Sequence, residues 1–293
     1  MSIFTGSGVA IVTPFKANRS VDYKAYEKLI QFHLENGTDA IVVAGTTGES
    51  ATLTEKEQER LIKHTVKSVG GKIPVIAGCG SNNTATAVRL TKKAELLGAD
   101  AIMLVTPYYN KATQSGLINH FSEIAASTCL PIMLYNVPSR TGCNMSAKTV
   151  YELSKVPNIV AVKEASGDIS QIAEISKLCG KDFDIYSGND DQVIPIMSLG
   201  GKGVVSVVAN AAPRQMHDMC KAYLSGDVEK ALKMQLELLD LCHACFIELS
   251  PAPIKAALSM MGLCAETMRS PMYPVSDENR GVVEKVLRGY GRV

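Results

Sequence analysis

Ala101-Ile102-Met103-Leu104-Val105 is a short β-rich apolar run, and it closes in the turn residues Thr106-Pro107-Tyr108-Tyr109-Asn110. Gln114–Ser127 follows with helical spacing, and Pro131–Tyr135 then opens the next apolar run. That is one strand–helix–strand unit. The unit repeats in both directions along the chain. Strands are predicted over Gly8–Val12, Ala40–Ala44, Pro74–Ala77, Ala101–Val105, Pro131–Tyr135, Ile159–Lys163, Phe183–Tyr186 and Val204–Val208. Helices are predicted over Tyr23–Glu35, Glu55–Ser68, Thr84–Leu97, Gln114–Ser127, Ala147–Ser154, Ile169–Leu178, Gln192–Leu199 and Arg214–Leu224. Gly37, Gly70, Gly98, Gly180, Gly200 and Gly226 stand where helices should end, because glycine enters the left-handed conformation without a Cβ penalty.

Eight such units in about 225 residues predict a closed parallel (β/α)8 barrel, the TIM barrel. The competitor is a doubly wound open sheet, whose first strand usually runs into a glycine-rich phosphate turn. Here the first strand runs into Thr13-Pro14-Phe15, and Gly78-Cys79-Gly80 after the third lacks the last glycine of a dinucleotide fingerprint. Beyond Gly226 the strand signal stops. Val228–Phe246 reads as one long helix, followed by helical stretches at Ile254–Met261 and Val282–Leu287. The predicted organisation is a barrel over 1–225 and a C-terminal helical domain over 226–293.

Composition narrows the class. The chain has 293 residues, 46% hydrophobic and 20% charged, with a net charge of +1. Disorder needs lower hydropathy and higher net charge. The balance gives no basic footprint for nucleic acid and no reason to expect a membrane surface as partner. The apolar runs fall well short of the ~20 residues of a membrane span. Met1–Val12 has no basic leader, so a cytoplasmic location is expected. The eight cysteines then read as free thiols. Cys242-His243-Ala244-Cys245 lies in a helical stretch without a second cysteine pair, which disfavours a redox or zinc site. The five histidines show no ligand spacing, so no metal is expected.

A barrel of this kind does its chemistry at the C-terminal ends of its strands. Those ends are rich in reactive side chains: Gly45-Thr46-Thr47-Gly48-Glu49-Ser50, Thr106–Asn110, Tyr135–Gly142, Lys163-Glu164 and Ser187-Gly188-Asn189. Each loop alone can be turn chemistry. Lys163 is the most informative, a single ammonium in an otherwise apolar strand. Either it pairs with an acid such as Glu164 at the rim, or burial depresses its pKa and makes it a nucleophilic amine that forms a Schiff base with a ketone. Tyr135, on the neighbouring strand, could carry a proton. Gly45-Thr46-Thr47-Gly48 could cradle one carboxylate, and Arg140 could grip a second. The residues suggest a keto-acid condensed with an acidic partner. Gly200-Gly201-Lys202-Gly203 precedes the eighth strand, at the wrong end for a phosphate grip, and Ser250–Lys255 reads as a helix-entry turn.

At these motifs, and over essentially the whole chain, the sequence resembles the dihydrodipicolinate synthase branch of the class I pyruvate aldolases, which also include N-acetylneuraminate lyase. Thr106–Lys111, Val162-Lys163-Glu164-Ala165, Ser187-Gly188-Asn189-Asp190 and Gly203-Val204-Val205-Ser206 carry the resemblance together with the segments above. The resemblance implies that Lys163 forms the Schiff base with pyruvate. Tyr135 is the implied proton shuttle, linked to Thr47 and Tyr109. Thr46 and Thr47 would hold the pyruvate carboxylate, Arg140 would bind the carboxylate of L-aspartate 4-semialdehyde, and Gly188 and Val205 would offer backbone carbonyls. No cofactor is implied. Tyr109 would enter a neighbouring subunit's site, implying a tight homodimer, usually within a tetramer. The alternatives are a sibling lyase cleaving a sugar acid, against which Arg140 speaks, and a catalytically silent barrel, against which the intact set speaks.

The resemblance also bears on regulation. Lysine-inhibited relatives bind lysine near the loop after the second strand. Ser50, Ala51, Asn82 and Tyr108 match that pattern, but Glu55 and Gln58 replace histidines and Thr86 replaces an acid. Weak or absent inhibition by lysine is therefore expected.

Overall fold

Eight parallel strands pair in sequence order, and the eighth returns to the first to close a barrel. The computed structural model describes residues 2–292. The strands are β1 (Gly6–Ala10), β2 (Ala40–Val43), β3 (Val75–Gly78), β4 (Ala101–Val105), β5 (Ile132–Asn136), β6 (Ile159–Glu164), β7 (Asp184–Ser187) and β8 (Gly203–Ser206). The helices around them are α1 (Tyr23–Glu35), α2 (Glu55–Val69), α3 (Thr84–Leu96), α4 (Gln114–Ala125), α5 (Pro138–Thr141), α6 (Ala147–Leu153), α7 (Ile169–Cys179), α8 (Val193–Ser198) and α9 (Pro213–Leu224). Four more follow: α10 (Val228–Glu237), α11 (Leu239–Cys245), α12 (Ala252–Met260) and α13 (Asp277–Gly289). The expected (β/α)8 barrel with C-terminal helices is the fold. No helix among the described residues is long and apolar enough to cross a membrane.

Local chemistry explains the helix limits. Asp22 caps α1, Thr54 and Glu57 form a capping box on α2, and Asn83, Thr113, Ser146 and Asp168 cap α3, α4, α6 and α7. All six glycines read as helix stops have positive φ. The apolar residues divide into two layers. Ala40, Val42, Met103, Met133, Tyr135, Ala161 and Val205 fill the barrel, and Phe4 closes its lower end by stacking on Tyr186 at 4.4 Å. Val9, Ile41, Leu104, Leu134, Val162 and Val204 face outward into the helices. Each fully buried aliphatic contributes about 1.5–3 kcal/mol.

Three elements differ from expectation. The predicted helix Val228–Phe246 is two helices, α10 and α11, broken at Leu238. Tyr290 stands at the break: its hydroxyl donates to the Glu237 carbonyl, so a side chain enters where the helical ladder would continue. Pro138–Thr141, read as loop, is a helical turn. β1 begins at Gly6 because its N–H donates to the Lys202 carbonyl at 2.9 Å, a pairing made only when the barrel closes. The expected division between residues 225 and 226 falls in the link from α9 to α10, and these two helices pack against each other.

Candidate active site

β6 carries an irregularity that decides where its lysine points. Ile132 pairs with Ile159, but the next residue, Met133, pairs with Ala161, so Val160 is an extra residue in the ladder. Ile159 and Val162 face the helices, and Ala161 faces the barrel interior. Tyr135 on β5 is thereby registered opposite Lys163. The Lys163 Nζ lies 4.2 Å from the centre of the Tyr135 ring, and the side chain is 4% exposed.

Glu164, the acid considered as its partner, is not one. Neighbouring strand residues point to opposite faces. The Glu164 carboxylate accepts from Asn136 Nδ2 at 3.0 Å, Ser166 N at 2.8 Å and Gln171 Nε2 at 3.4 Å. Among the described residues no carboxylate forms a salt bridge with Lys163. Burial pushes its pKa down to about 8; the Asp190 carboxylate opposes that shift, and the Arg140 guanidinium adds to it. Burial raises the Tyr135 phenol above its usual range, while Arg140 and a hydrogen bond with the Thr46 side chain pull it back.

The other sequence-selected residues gather unevenly. Thr46 and Arg140 share the wall of a cavity of about 470 Å³, which also includes Gly80, Val105, Tyr108 and Ser250. Lys163 lies outside that wall. Thr47 is buried, two residues before Glu49. Gly188 packs directly on the lysine: its N–H donates to the Glu164 carbonyl at 2.7 Å, and a Cβ there would lie 3.1 Å from Lys163 Cε. Val205 lies inside the barrel on β8, paired with Gly8. Tyr109 does not join the group. It has a left-handed φ of 72° and is 92% exposed.

The chain matches known proteins along nearly its whole length. The sequence profile of the Dihydrodipicolinate synthetase family matches residues 3–289. The chain belongs to that family. It is 56% identical over 292 residues to the 4-hydroxy-tetrahydrodipicolinate synthase of Thermoanaerobacter sp. (strain X514), covering 99% of this chain and 98% of that protein. The crystal structure of dihydrodipicolinate synthase from Thermotoga maritima superposes with a TM-score of 0.98 at 44% identity, covering all of both chains. That of Cyanidioschyzon merolae, solved with lysine bound, gives 0.97 at 42% identity, again over both full chains.

Sequence reading of this Dihydrodipicolinate synthetase family member passed over three groups near the site. Asp190, the last residue of Ser187-Gly188-Asn189-Asp190, has no local signature of its role. Its buried carboxylate accepts from Ser206 Oγ, and from the backbone of Val207 at 3.0 Å and Val208 at 3.3 Å, which ties β7 to the end of β8. Ser250, taken as part of a helix-entry turn, accepts from Arg140 Nη2 through its carbonyl at 3.0 Å. Lys255, from the same stretch, is fully buried against Glu49. Only the lysine carried a signal, a charge inside the apolar helix Ala252–Met260.

Proposed function

We propose that this chain condenses pyruvate with L-aspartate 4-semialdehyde to 4-hydroxy-tetrahydrodipicolinate, as a lyase of diaminopimelate and lysine biosynthesis. The observation that supports it best is the buried, unpaired Lys163 amine over the Tyr135 ring. With a pKa of about 8, roughly a tenth of this amine is neutral at pH 7, against about 1 in 3,000 for an unperturbed lysine.

Lys163 adds to the pyruvate ketone, loses water and leaves a Schiff base. Loss of a methyl proton gives an enamine, and the enamine carbon attacks the semialdehyde's aldehyde carbon. The semialdehyde's own amine then adds to the imine carbon and expels the lysine amine, closing the ring. Tyr135 moves the protons; Thr46, whose side chain hydrogen-bonds its phenol, takes the place in the relay that the resemblance gave to Thr47, with a neighbouring subunit's Tyr109 extending it. Thr46 and Thr47 hold the pyruvate carboxylate, Arg140 the semialdehyde carboxylate, and Gly188 and Val205 contribute backbone carbonyls. The barrel, 1–225, carries this chemistry, and the extension, 226–293, supports it. Exposure of Tyr109 supports a tight dimer, within a tetramer, and a biosynthetic enzyme of this family is read as cytoplasmic.

The test is one steady-state assay with pyruvate plus aspartate semialdehyde, beside pyruvate plus N-acetylmannosamine. Turnover with the semialdehyde alone is expected; turnover with the amino sugar alone would make the chain a sugar-acid lyase.

Two further results are expected. Arg140→Ala should lower kcat/KM for the semialdehyde by about 1.5–3 kcal/mol, roughly 10- to 150-fold, while borohydride trapping of pyruvate largely survives. Equal loss of both would assign Arg140 to holding the site together. Lysine should inhibit weakly or not at all. Glu55 and Thr86 line the same cavity as Ser50, but Glu55 is already paired with Arg89. Without an acid at position 86, affinity for a bound lysine falls by about 1.5–3 kcal/mol, roughly 10- to 150-fold. Activity measured against lysine near the pyruvate KM decides this; strong inhibition at sub-millimolar lysine refutes it.

A further inference from the structure

Lys255 stands on α12, outside the barrel sequence, yet it is 0% exposed. Its Nζ lies 2.5 Å from Glu49 Oε1 and donates to the Thr267 carbonyl at 2.8 Å. The other Glu49 oxygen accepts the Arg269 N–H at 3.3 Å. Phe15 lies under both cations, 4.3 Å from Lys255 Nζ and 4.5 Å from Arg269 Cζ. Desolvation cancels much of the attraction in such a buried pair, so stability alone is a poor reason for it.

The turn that it holds is a better reason. Glu49 has a left-handed φ of 54°, where a residue with a Cβ is uncommon. Its N–H donates to the Thr46 carbonyl at 3.0 Å, and the Ser50 N–H donates to the Gly45 carbonyl at 3.3 Å. Thr13 Oγ1 donates to the Gly48 carbonyl at 2.7 Å. The turn containing Thr46 and Thr47 is thus closed on itself, and its far end is fastened to Lys255. Five residues earlier in the same stretch, the Ser250 carbonyl accepts from Arg140. One short piece of the helical extension therefore grips both sides of the cavity wall.

We propose that Lys255 is a positioning residue, and that residues 250–255 form a brace setting the spacing between the Thr46-Thr47 turn and Arg140. The extension then builds the active site although none of its side chains meets the reacting atoms. This rests on reading Thr46-Thr47 and Arg140 as the grips for the two substrate carboxylates.

The test uses the full-length double variant Glu49→Gln/Lys255→Met, which removes both charges at nearly constant volume. Its thermal midpoint should stay close to that of the parent. Its KM for pyruvate should rise about tenfold or more, because displacing a grip by an ångström is that costly. The concentration of pyruvate giving half-maximal borohydride trapping on Lys163 should rise with it, while kcat falls less. Parental pyruvate KM and half-trapping concentration in the folded double variant would overturn the brace. Glu49→Asp keeps the charge and shortens its reach by one methylene. It should raise the pyruvate KM in the same direction, and it decides the question if the double variant does not fold. If the parent protein itself traps no pyruvate, the underlying functional reading fails, and the brace with it.

Discussion

Lys163→Met is expected to abolish turnover, by roughly 10⁴-fold or more, and to make the protein more stable at the same time. The loss follows because Lys163 is the amine assigned to the imine, and methionine offers none. Pyruvate with borohydride should add mass to Lys163 in the parent and nowhere in the variant. An adduct of equal yield in the variant would defeat the assignment. The stability gain follows from the pKa of about 8. Below pH 8 both folded and unfolded chains carry the proton, and the folded chain bears the whole penalty of a buried charge. A depression of about 2.5 units from 10.5 corresponds to about 3 kcal/mol. Between pH 8 and 10.5 the folded chain binds fewer protons, so this penalty fades as pH rises. Denaturant unfolding should find the variant up to about 3 kcal/mol more stable at pH 7, with the difference shrinking above pH 8. A gap independent of pH would show that the amine is not carrying a buried charge.

Gly188→Ala is expected to impair both stability and turnover, by crowding rather than by lost chemistry. A Cβ at this position would stand 2.7 Å from Ala165 Cβ and 3.1 Å from both the Glu164 carbonyl oxygen and Lys163 Cε. The Glu164 carbonyl belongs to β6, and Ala165 just beyond it is tied to β5 by its N–H donating to the Asn136 carbonyl at 2.9 Å, so the lysine chain is the part that can yield. Overpacking should cost about 1–3 kcal/mol of stability, and tilting the amine should lower kcat about a hundredfold. Adding Ala165→Gly removes the closest contact and should recover part of both losses. Unchanged kcat in the single variant would show that the lysine tolerates displacement.

Much of the molecule was legible because it is written in neighbours along the chain. Ala101–Val105 and the helix Tyr23–Glu35 lie where their periodicity places them, and the stop glycines have the positive φ that their position required. Lys163 stood out as one charge in an apolar strand. Even the failure of Glu164 as its partner was readable, since a strand's period of two sends adjacent side chains to opposite faces.

Other features had no local signature. Period two counted from Ile159, which faces the helices, would put Lys163 on that same face; the extra residue Val160 turns it inward opposite Tyr135, and only pairing with β5 creates that bulge. Tyr290 stands at the break in a helical stretch that begins 62 residues earlier, where its hydroxyl finds the Glu237 carbonyl. Lys255 meets Glu49 across 206 residues, and Ser250 meets Arg140 across 110. The sequence by itself determined the strand–helix alternation, and with it the barrel and the rim on which reactive residues stand, because both depend on backbone periodicity and turn chemistry within a few residues. The inward aim of the lysine, the seating of Arg140 and the fastening of the Thr46-Thr47 turn were decided by the tertiary structure. Each depends on register and contact between segments brought together only when the sheet closes and the last helices pack over its rim.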